Sequence, residues 1–131
     1  MEKPVELLVL DDEIIVGERL QEFFERKGIR VEVFTESQKA LNRLKEKSFD
    51  VLITDVKMKE PTGIDVLAAV RAELSNTEVI VITGYSTVDT YRQAEYIGAF
   101  EFIAKPFQLS DMYKIVKKAA KKSRSRSVHK N

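Results

Sequence analysis

The distribution of apolar and polar positions along the chain predicts five strands alternating with five helices. Three largely apolar runs of strand length occur at 5–10, 50–54 and 78–83, and two further strands are predicted at 29–34 and 100–104. Between the strands, apolar residues recur every three or four positions, which is typical of amphipathic helices. The helices are predicted near 16–24, 36–47, 64–74, 86–97 and 109–120, with Gly28 and Gly98 as helix ends.

This alternation predicts an α/β fold in one domain. Strands that are apolar on both faces must be covered by helices on both sides, which favours a parallel sheet. The domain is predicted to cover residues 1–122. Residues 123–131 have no apolar period, so they are predicted to be a disordered basic tail or the start of a linker.

Composition and charge narrow the possible functions. The chain has 131 residues and no cysteine, which excludes disulfide frameworks and thiolate metal sites. The net charge is +1, but the charges are distributed unevenly along the chain. The segment from Lys114 onward has eight basic and no acidic residues, and the rest of the chain has 14 basic and 21 acidic residues. No signal peptide or membrane span is recognisable, so we expect a cytoplasmic protein without membrane contact. The tail has no aromatic residues and no nucleic-acid reading motif, so direct nucleic-acid binding is not expected.

Polar and charged residues follow four of the predicted strands. Asp11 and Asp12 follow the first strand, Asp55 the third, Thr83 ends the fourth and Lys105 follows the fifth. In open α/β sheets, ligands bind outside the carboxyl ends of the strands. Clustered carboxylates repel one another unless a cation joins them, and oxygen ligands suit Mg²⁺ or Mn²⁺. These residue types also suit phosphoryl transfer to a carboxylate.

Each of these residues also has an ordinary interpretation. An aspartate at a strand end is most often a turn residue or a helix N-cap, and DDE before a helix can simply favour the helix N-terminus. A threonine that ends a strand and a lysine before a proline are both unremarkable. The occurrence of all of them in strand order favours a joint site.

Four motifs carry a resemblance to a known family. They are LLVLDDE at 7–13, DVLITDVKM at 50–58, VITGYS at 81–86 and GAFEFIAKPF at 98–107. With these motifs, residues 5–122 resemble the receiver domain of two-component response regulators, and 83–107 are similar to receivers of sigma-54-dependent transcription activators. The resemblance implies a flavodoxin-like (CheY-like), doubly wound, five-stranded parallel sheet of order 2-1-3-4-5 with five helices. It implies a phosphorylated signalling module rather than an enzyme.

The resemblance also implies roles for the site residues. Asp55 would be phosphorylated by a partner sensor histidine kinase. Asp12 and Asp55 would bind Mg²⁺ (or Mn²⁺) together with the backbone carbonyl of Lys57, and Asp11 would act mainly through a bound water. Lys105 would pair with the phosphoryl group.

A second set of implied roles concerns switching. Thr83 would move toward the phosphoryl group, and Phe102 would turn inward, although an ordinary core aromatic is the alternative for Phe102. The Lys105–Pro106 bond would be cis. The side chains of Lys57 and Tyr85 lie where the family tunes loss of the phosphate, and we expect slow autodephosphorylation.

The face formed by the fourth helix, fifth strand and fifth helix would control a downstream partner or output domain. Tyr91 and Tyr96 on the fourth helix are either interface residues or ordinary half-buried residues, so a phosphorylation-dependent homodimer is one possibility. Many family members have Pro at position 59 and Asp at 62, whereas this chain has Lys59, Pro61 and Thr62. The loop after Asp55 is therefore expected to differ.

Three other functions fit parts of the sequence less well. A binding-only pseudo-receiver is disfavoured because the acidic, threonine and lysine positions are complete. A Mg²⁺-dependent phosphohydrolase commonly needs a second aspartate two residues after the nucleophile, where this chain has Lys57. A flavin-binding protein would need a phosphate-cradling loop after the first strand, where DDE would repel a phosphate in the absence of a metal.

Overall fold

The computed structural model describes residues 3–74, 76–84 and 87–129. In this part of the chain, five strands alternate with five helices, as the apolar pattern predicts. They are β1 Glu6–Leu10, α1 Ile14–Arg26, β2 Arg30–Phe34, α2 Ser37–Glu46, β3 Val51–Asp55, α3 Gly63–Glu73, β4 Glu78–Thr83, α4 Val88–Ile97, β5 Glu101–Ala104 and α5 Leu109–His129.

The five strands form one parallel sheet of order β2-β1-β3-β4-β5. The predicted fold class and strand order are therefore confirmed. The register aligns Leu8 of β1 with Leu52 of β3 and Leu52 with Val79 of β4. Because all strands run the same way, their carboxyl ends lie at one edge of the sheet.

Side chains of each central strand alternate between two hydrophobic clusters, one on each face of the sheet. Leu7 and Val9 of β1 pack on the face covered by α1 and α5, where Phe24 and Val116 are fully buried. The intervening residues of β1 pack with Leu67 and other residues of α2, α3 and α4 on the opposite face. Truncating a buried aromatic side chain such as Phe24 to alanine costs about 3–5 kcal/mol, so both layers hold the sheet rigidly.

Two glycines end helices where the backbone turns left-handed. Gly98 follows α4 with φ of 114°, and its N–H donates to the carbonyl oxygen of Ala94. Gly28 lies two residues after α1 with φ of 81°. Glycine adopts these angles without the steric cost that a side chain would bring. Both predicted helix ends are confirmed.

The C-terminal segment differs from the prediction. The disorder expected for 123–131 is wrong for residues 123–129, because α5 continues to His129. The predicted boundary after residue 122 therefore falls inside a helix. The extension is held by long-range contacts of Ser123, Arg124 and Arg126 with the body of the domain, which a local sequence pattern cannot reveal. Although α5 has 21 residues, neither it nor another helix in the described ranges is apolar enough to cross a membrane.

Candidate functional site

The carboxyl edge of the sheet brings together residues that are far apart in the sequence. Asp11 directly follows β1, Asp55 is the last residue of β3, Thr83 is the last residue of β4, and Lys105 directly follows β5. Asp11, Asp55 and Thr83 are buried. Each of these four strands thus delivers one polar side chain to the same edge.

The ammonium group of Lys105 lies at the centre of this arrangement. Its Nζ donates to Oδ2 of Asp11 at 2.9 Å and to Oδ2 of Asp55 at 3.2 Å, and it lies 3.4 Å from Oε1 of Glu13. The Lys105 side chain is only 16% exposed. A compact cation at this position neutralises part of the negative charge of the buried carboxylates.

Four carboxylates form a cluster around this point. One oxygen from each of Asp11, Asp12, Glu13 and Asp55 lies within 4.8 Å of the others. Asp11 and Asp55 are buried, whereas Asp12 and Glu13 are exposed. A set of carboxylate oxygens fits a hard divalent cation such as Mg²⁺ or Mn²⁺, which keeps water among its ligands.

Glu13 is a member of this cluster that the sequence analysis did not predict. Its backbone N–H donates to Oδ1 of Asp11 at 2.8 Å, which turns the chain so that the Glu13 carboxylate faces Lys105. The signal was present in the third acidic residue of DDE. That residue was interpreted only as part of a helix N-terminus.

Burial and charge perturb both central groups. Burial raises the pKa of the Asp55 carboxyl, and the neighbouring Asp11 raises it further, while Lys105 acts in the opposite direction. Burial lowers the pKa of Lys105, but its hydrogen bonds and charge interactions with Asp11 and Asp55 outweigh burial and leave that pKa above its ordinary value. Lys105 therefore stays charged at neutral pH. A cation that bound beside Asp55 would stabilise its ionised carboxylate.

The backbone around Asp55 is closely packed. The N–H of Lys57 donates to Oδ1 of Asp55 at 3.3 Å, whereas the Lys57 side chain is exposed. The first residue of α3, Gly63, approaches so closely that an added Cβ would lie 1.9 Å from the carbonyl oxygen of Asp55. The absence of a side chain at Gly63 therefore allows the start of α3 to pack directly against the backbone of Asp55. The metal-binding role predicted for the Lys57 carbonyl stays a prediction.

The loop between β3 and α3 has a conformation that the sequence did not reveal. Its Glu60–Pro61 bond is cis, and Thr62 forms a capping box with Asp65 at the start of α3. The Lys105–Pro106 bond is also cis, which is the isomer that the resemblance implies. An open groove of about 640 Å³ lies beside the loop, between Lys57 and residues of α4.

Thr83 and Phe102 lie on neighbouring strands at the same side of the sheet. The carbonyl oxygen of Thr83 accepts a hydrogen bond from the N–H of Lys105 at 2.7 Å, which joins the switch candidate to the lysine. Phe102 is half-buried, and its ring packs edge-on against Tyr91 at 5.4 Å between ring centroids. Tyr85, predicted to tune phosphate loss, lies outside the described residues.

The comparisons with known proteins agree with this geometry. The family model of the response regulator receiver domain matches residues 7–117. The regulatory protein AtoC of Escherichia coli (strain K12) is 33% identical over 113 residues, which cover 86% of this chain and 24% of that protein. The transcriptional regulatory protein ZraR of Klebsiella oxytoca is 32% identical over 82% of this chain and 24% of its own length. The chain thus spans about a quarter of the length of these relatives.

Solved structures show the same fold. A response regulator receiver domain from Clostridium thermocellum has a TM-score of 0.86 at 30% identity, covering 92% of this chain and 97% of that one. The beryllofluoride-activated NtrC4 receiver domain dimer has a TM-score of 0.85 at 30% identity, covering 90% and 98%. The family model covers most of the chain, and the sheet described above has the fold of these structures. This chain belongs to the response regulator receiver domain family.

Proposed function

We propose that this receiver accepts a phosphoryl group on Asp55 from a partner histidine kinase. The observation that carries the proposal is the convergence of Asp55, Lys105 and the acidic cluster at one edge of the sheet. Carboxylates are established acceptors in covalent phosphoryl transfer. The group then acts as a signal, because a phosphate adds up to about two negative charges at neutral pH.

The chemistry follows from the positions of the side chains. An Oδ atom of Asp55 forms the new bond to phosphorus while the bond between phosphorus and the kinase imidazole nitrogen breaks. The electron pair of that bond returns to the imidazole. Lys105, 3.2 Å from Asp55, would pair with a phosphoryl oxygen, and phosphoryl transfer depends mainly on such positioning and charge neutralisation.

Asp11, Asp12 and Asp55 are the residues that would hold a magnesium ion, and Glu13 lies close enough to join them. A bound magnesium ion supplies positive charge that neutralises the phosphoryl oxygens. Asp11 keeps its place through the hydrogen bonds with Glu13 N–H and Lys105. These contacts hold the carboxylates together despite their repulsion.

The test is the intact mass of the chain after incubation with acetyl phosphate and Mg²⁺. We expect a gain of one phosphoryl mass that is absent without Mg²⁺ and in Asp55→Asn. The exposed Asp89→Asn is a matched control and should be labelled like the wild-type chain. Failure of the wild-type chain to label, under conditions in which another receiver does, would refute the proposal and favour a binding-only receiver.

A kinase must approach Asp55 across the surface that surrounds it. A groove of about 440 Å³ beside Lys105 is lined by residues of α1 and of the segment after β5, among them the apolar Ile15 and Phe107 and the charged Arg19. Ile15 is 68% exposed, which is unusual for a large apolar side chain next to a charged site. We propose this groove as the docking surface for the kinase. Ile15→Asp should slow labelling by a kinase that acts on this chain at least tenfold and leave labelling by acetyl phosphate unchanged; equal slowing of both would contradict the role.

Phosphorylation is proposed to change the surface formed by α4, β5 and α5. Thr83 would move toward the phosphoryl group, and Phe102 would leave its edge-on contact with Tyr91 and turn inward. Nuclear Overhauser contacts between the Phe102 and Tyr91 rings should be strong in the free protein and weak after phosphorylation. Unchanged contacts would refute this switch.

The rearranged surface would then bind a downstream partner, an output domain or a second copy. The NtrC4 receiver that this chain resembles was solved as a dimer, and the same assembly is proposed here for the phosphorylated state. Sedimentation velocity with and without acetyl phosphate tests it. Lys57 and Tyr85 are proposed to shield the phosphoryl group, so a phosphate lifetime of only seconds would contradict that role.

A further inference from the structure

The amino-terminal edge of the sheet, opposite the acidic cluster, carries a second charged site. Glu78 opens β4 and is only 1% exposed, and Asp50 directly precedes β3. The carbonyl oxygens of Lys3, Pro4 and Asn76 also face this place, where they accept hydrogen bonds from α5. We call this set of groups the acidic notch. The proposed phosphotransfer uses none of them.

The buried carboxylate of Glu78 lies between two arginines. Its Oε1 lies 3.5 Å from Nη1 of Arg71 on α3, and its Oε2 lies 2.7 Å from Nη1 of Arg126 on α5. The second contact is an ion pair without hydrogen-bond alignment, since Oε2 has no hydrogen-bond partner among the described residues. Arg71 is further fixed by a hydrogen bond to the carbonyl oxygen of Thr77 at 2.9 Å.

Two other residues hold the same segment of α5. The hydroxyl of the buried Ser123 donates to the carbonyl oxygen of Asn76, directly before β4. Nη2 of Arg124 donates to the carbonyl oxygens of Lys3 and Pro4 at 2.7 and 2.9 Å, and it lies 3.4 Å from Oδ2 of Asp50. Three of four consecutive residues of the segment therefore contact the domain.

The sequence of this segment offers no apolar stripe that would pack its helix against the domain. Residues 121–127 read KKSRSRS, in which serine competes for backbone hydrogen bonds. The segment continues α5 and needs no new helix nucleus, but helices in proteins owe most of their stability to tertiary packing. Here that packing consists of polar contacts with the body, whose residues before Lys114 carry a net charge of −7.

We infer that the acidic notch is an intramolecular docking site for the basic segment Ser123–Arg126. The occupant is this segment of the chain itself, because its hydroxyl and two guanidinium groups contact all three carbonyl oxygens and both carboxylates of the notch. The docked segment packs at the amino-terminal edge of the sheet, and Glu78 is the buried carboxylate that pairs with it. This inference does not depend on phosphorylation of Asp55.

Hydrogen exchange of the full chain, followed by NMR, tests the docking. In the wild-type chain, we expect the amides of Ser123–Arg126 to exchange at least tenfold more slowly than unstructured peptide. Arg126→Gln and Glu78→Gln should each lower this protection at least fivefold. Lys121→Gln removes an exposed charge from the same helix and should leave the protection unchanged.

The amides of Val79–Ile82 in β4 separate local release from global unfolding. Their protection should persist in Arg126→Gln, whose side chain is partly exposed, even if Glu78→Gln proves too unstable to study. Exchange of Ser123–Arg126 at the rate of unstructured peptide in the wild-type chain would overturn the inference. Unchanged protection in Arg126→Gln would overturn it equally.

Discussion

Replacing Asp55 with asparagine should make the metal-free receiver more stable. The Asp55 carboxylate of the wild-type chain is buried. One of its oxygens lies within 4.8 Å of a carboxylate oxygen of Asp11. At an effective dielectric constant near 20, two unit charges at that distance repel by about 3.5 kcal/mol. On the same scale, the attraction between Asp55 and Lys105 at 3.2 Å stabilises the ionised form by about 5 kcal/mol. Burial of the ionised carboxylate costs several kcal/mol.

These contributions leave a net penalty for the ionised Asp55, which agrees with the raised pKa of its carboxyl. Asparagine keeps the shape and removes the charge. We therefore expect Asp55→Asn to raise the free energy of unfolding by about 1–2 kcal/mol at pH 7. For a domain of this size that corresponds to roughly 3–8 °C in Tm.

The gain should depend on pH in a defined direction. Because the pKa of Asp55 is raised in the folded state, the penalty is absent below the unfolded pKa of about 3.9. It grows as the pH rises from there through the folded pKa and then stays constant. The difference in stability between Asp55→Asn and the wild-type chain should thus be larger at pH 7 than near pH 4.

Urea denaturation in the presence of a chelator measures both effects. Asp12→Asn is the matched control, because Asp12 belongs to the same cluster but is exposed, so solvent screens its charge. Its gain should stay below about 0.5 kcal/mol. A wild-type chain that is as stable as Asp55→Asn at pH 7 would refute the electrostatic reasoning.

Three further outcomes are expected. In Gly63→Ala, the free energy of unfolding measured in urea should fall by about 2–3 kcal/mol, because the added Cβ would lie 1.9 Å from the carbonyl oxygen of Asp55. Gly84→Ala is the control: its Cβ would meet nothing closer than 3.9 Å, and its free energy of unfolding should change by less than about 1 kcal/mol. In Lys105→Met, the free energy of unfolding at pH 7 in the presence of a chelator should fall by about 3 kcal/mol, because the buried carboxylates of Asp11 and Asp55 are left without their cation. An unchanged Tm would contradict this. Mg²⁺ at ten times its Kd should stabilise the wild-type chain by about 1.4 kcal/mol, and an equal gain in Asp11→Asn would count against the metal site.

The sheet and the site residues at its edge could be predicted because their signals are local. All six residues of β4 are buried, and the apolar run 79–82 within it predicts a buried strand directly from the sequence. Once β1, β3, β4 and β5 are parallel, the residues that end them must lie at one edge. Asp11, Asp55 and Lys105 converge for that reason, without information about any single contact.

What could not be predicted depends on contacts between distant residues. Ser123 is 47 residues from Asn76, and Arg124 is 74 residues from Asp50, so the order of the α5 extension left no periodic signal. The contact between Glu13 and Lys105 spans 92 residues. The cis bond at Glu60–Pro61 was also missed, because the sequence shows a proline but not the isomer of the preceding bond.

The two ends of β4 lie at two different sites of this molecule. Its six residues span roughly 17 Å, with Glu78 at one end and Thr83 at the other. The proposed chemistry uses only residues of the carboxyl edge, while the opposite edge holds the C-terminal part of α5. Substitutions at that second edge should therefore loosen or tighten α5 without disturbing the acidic cluster.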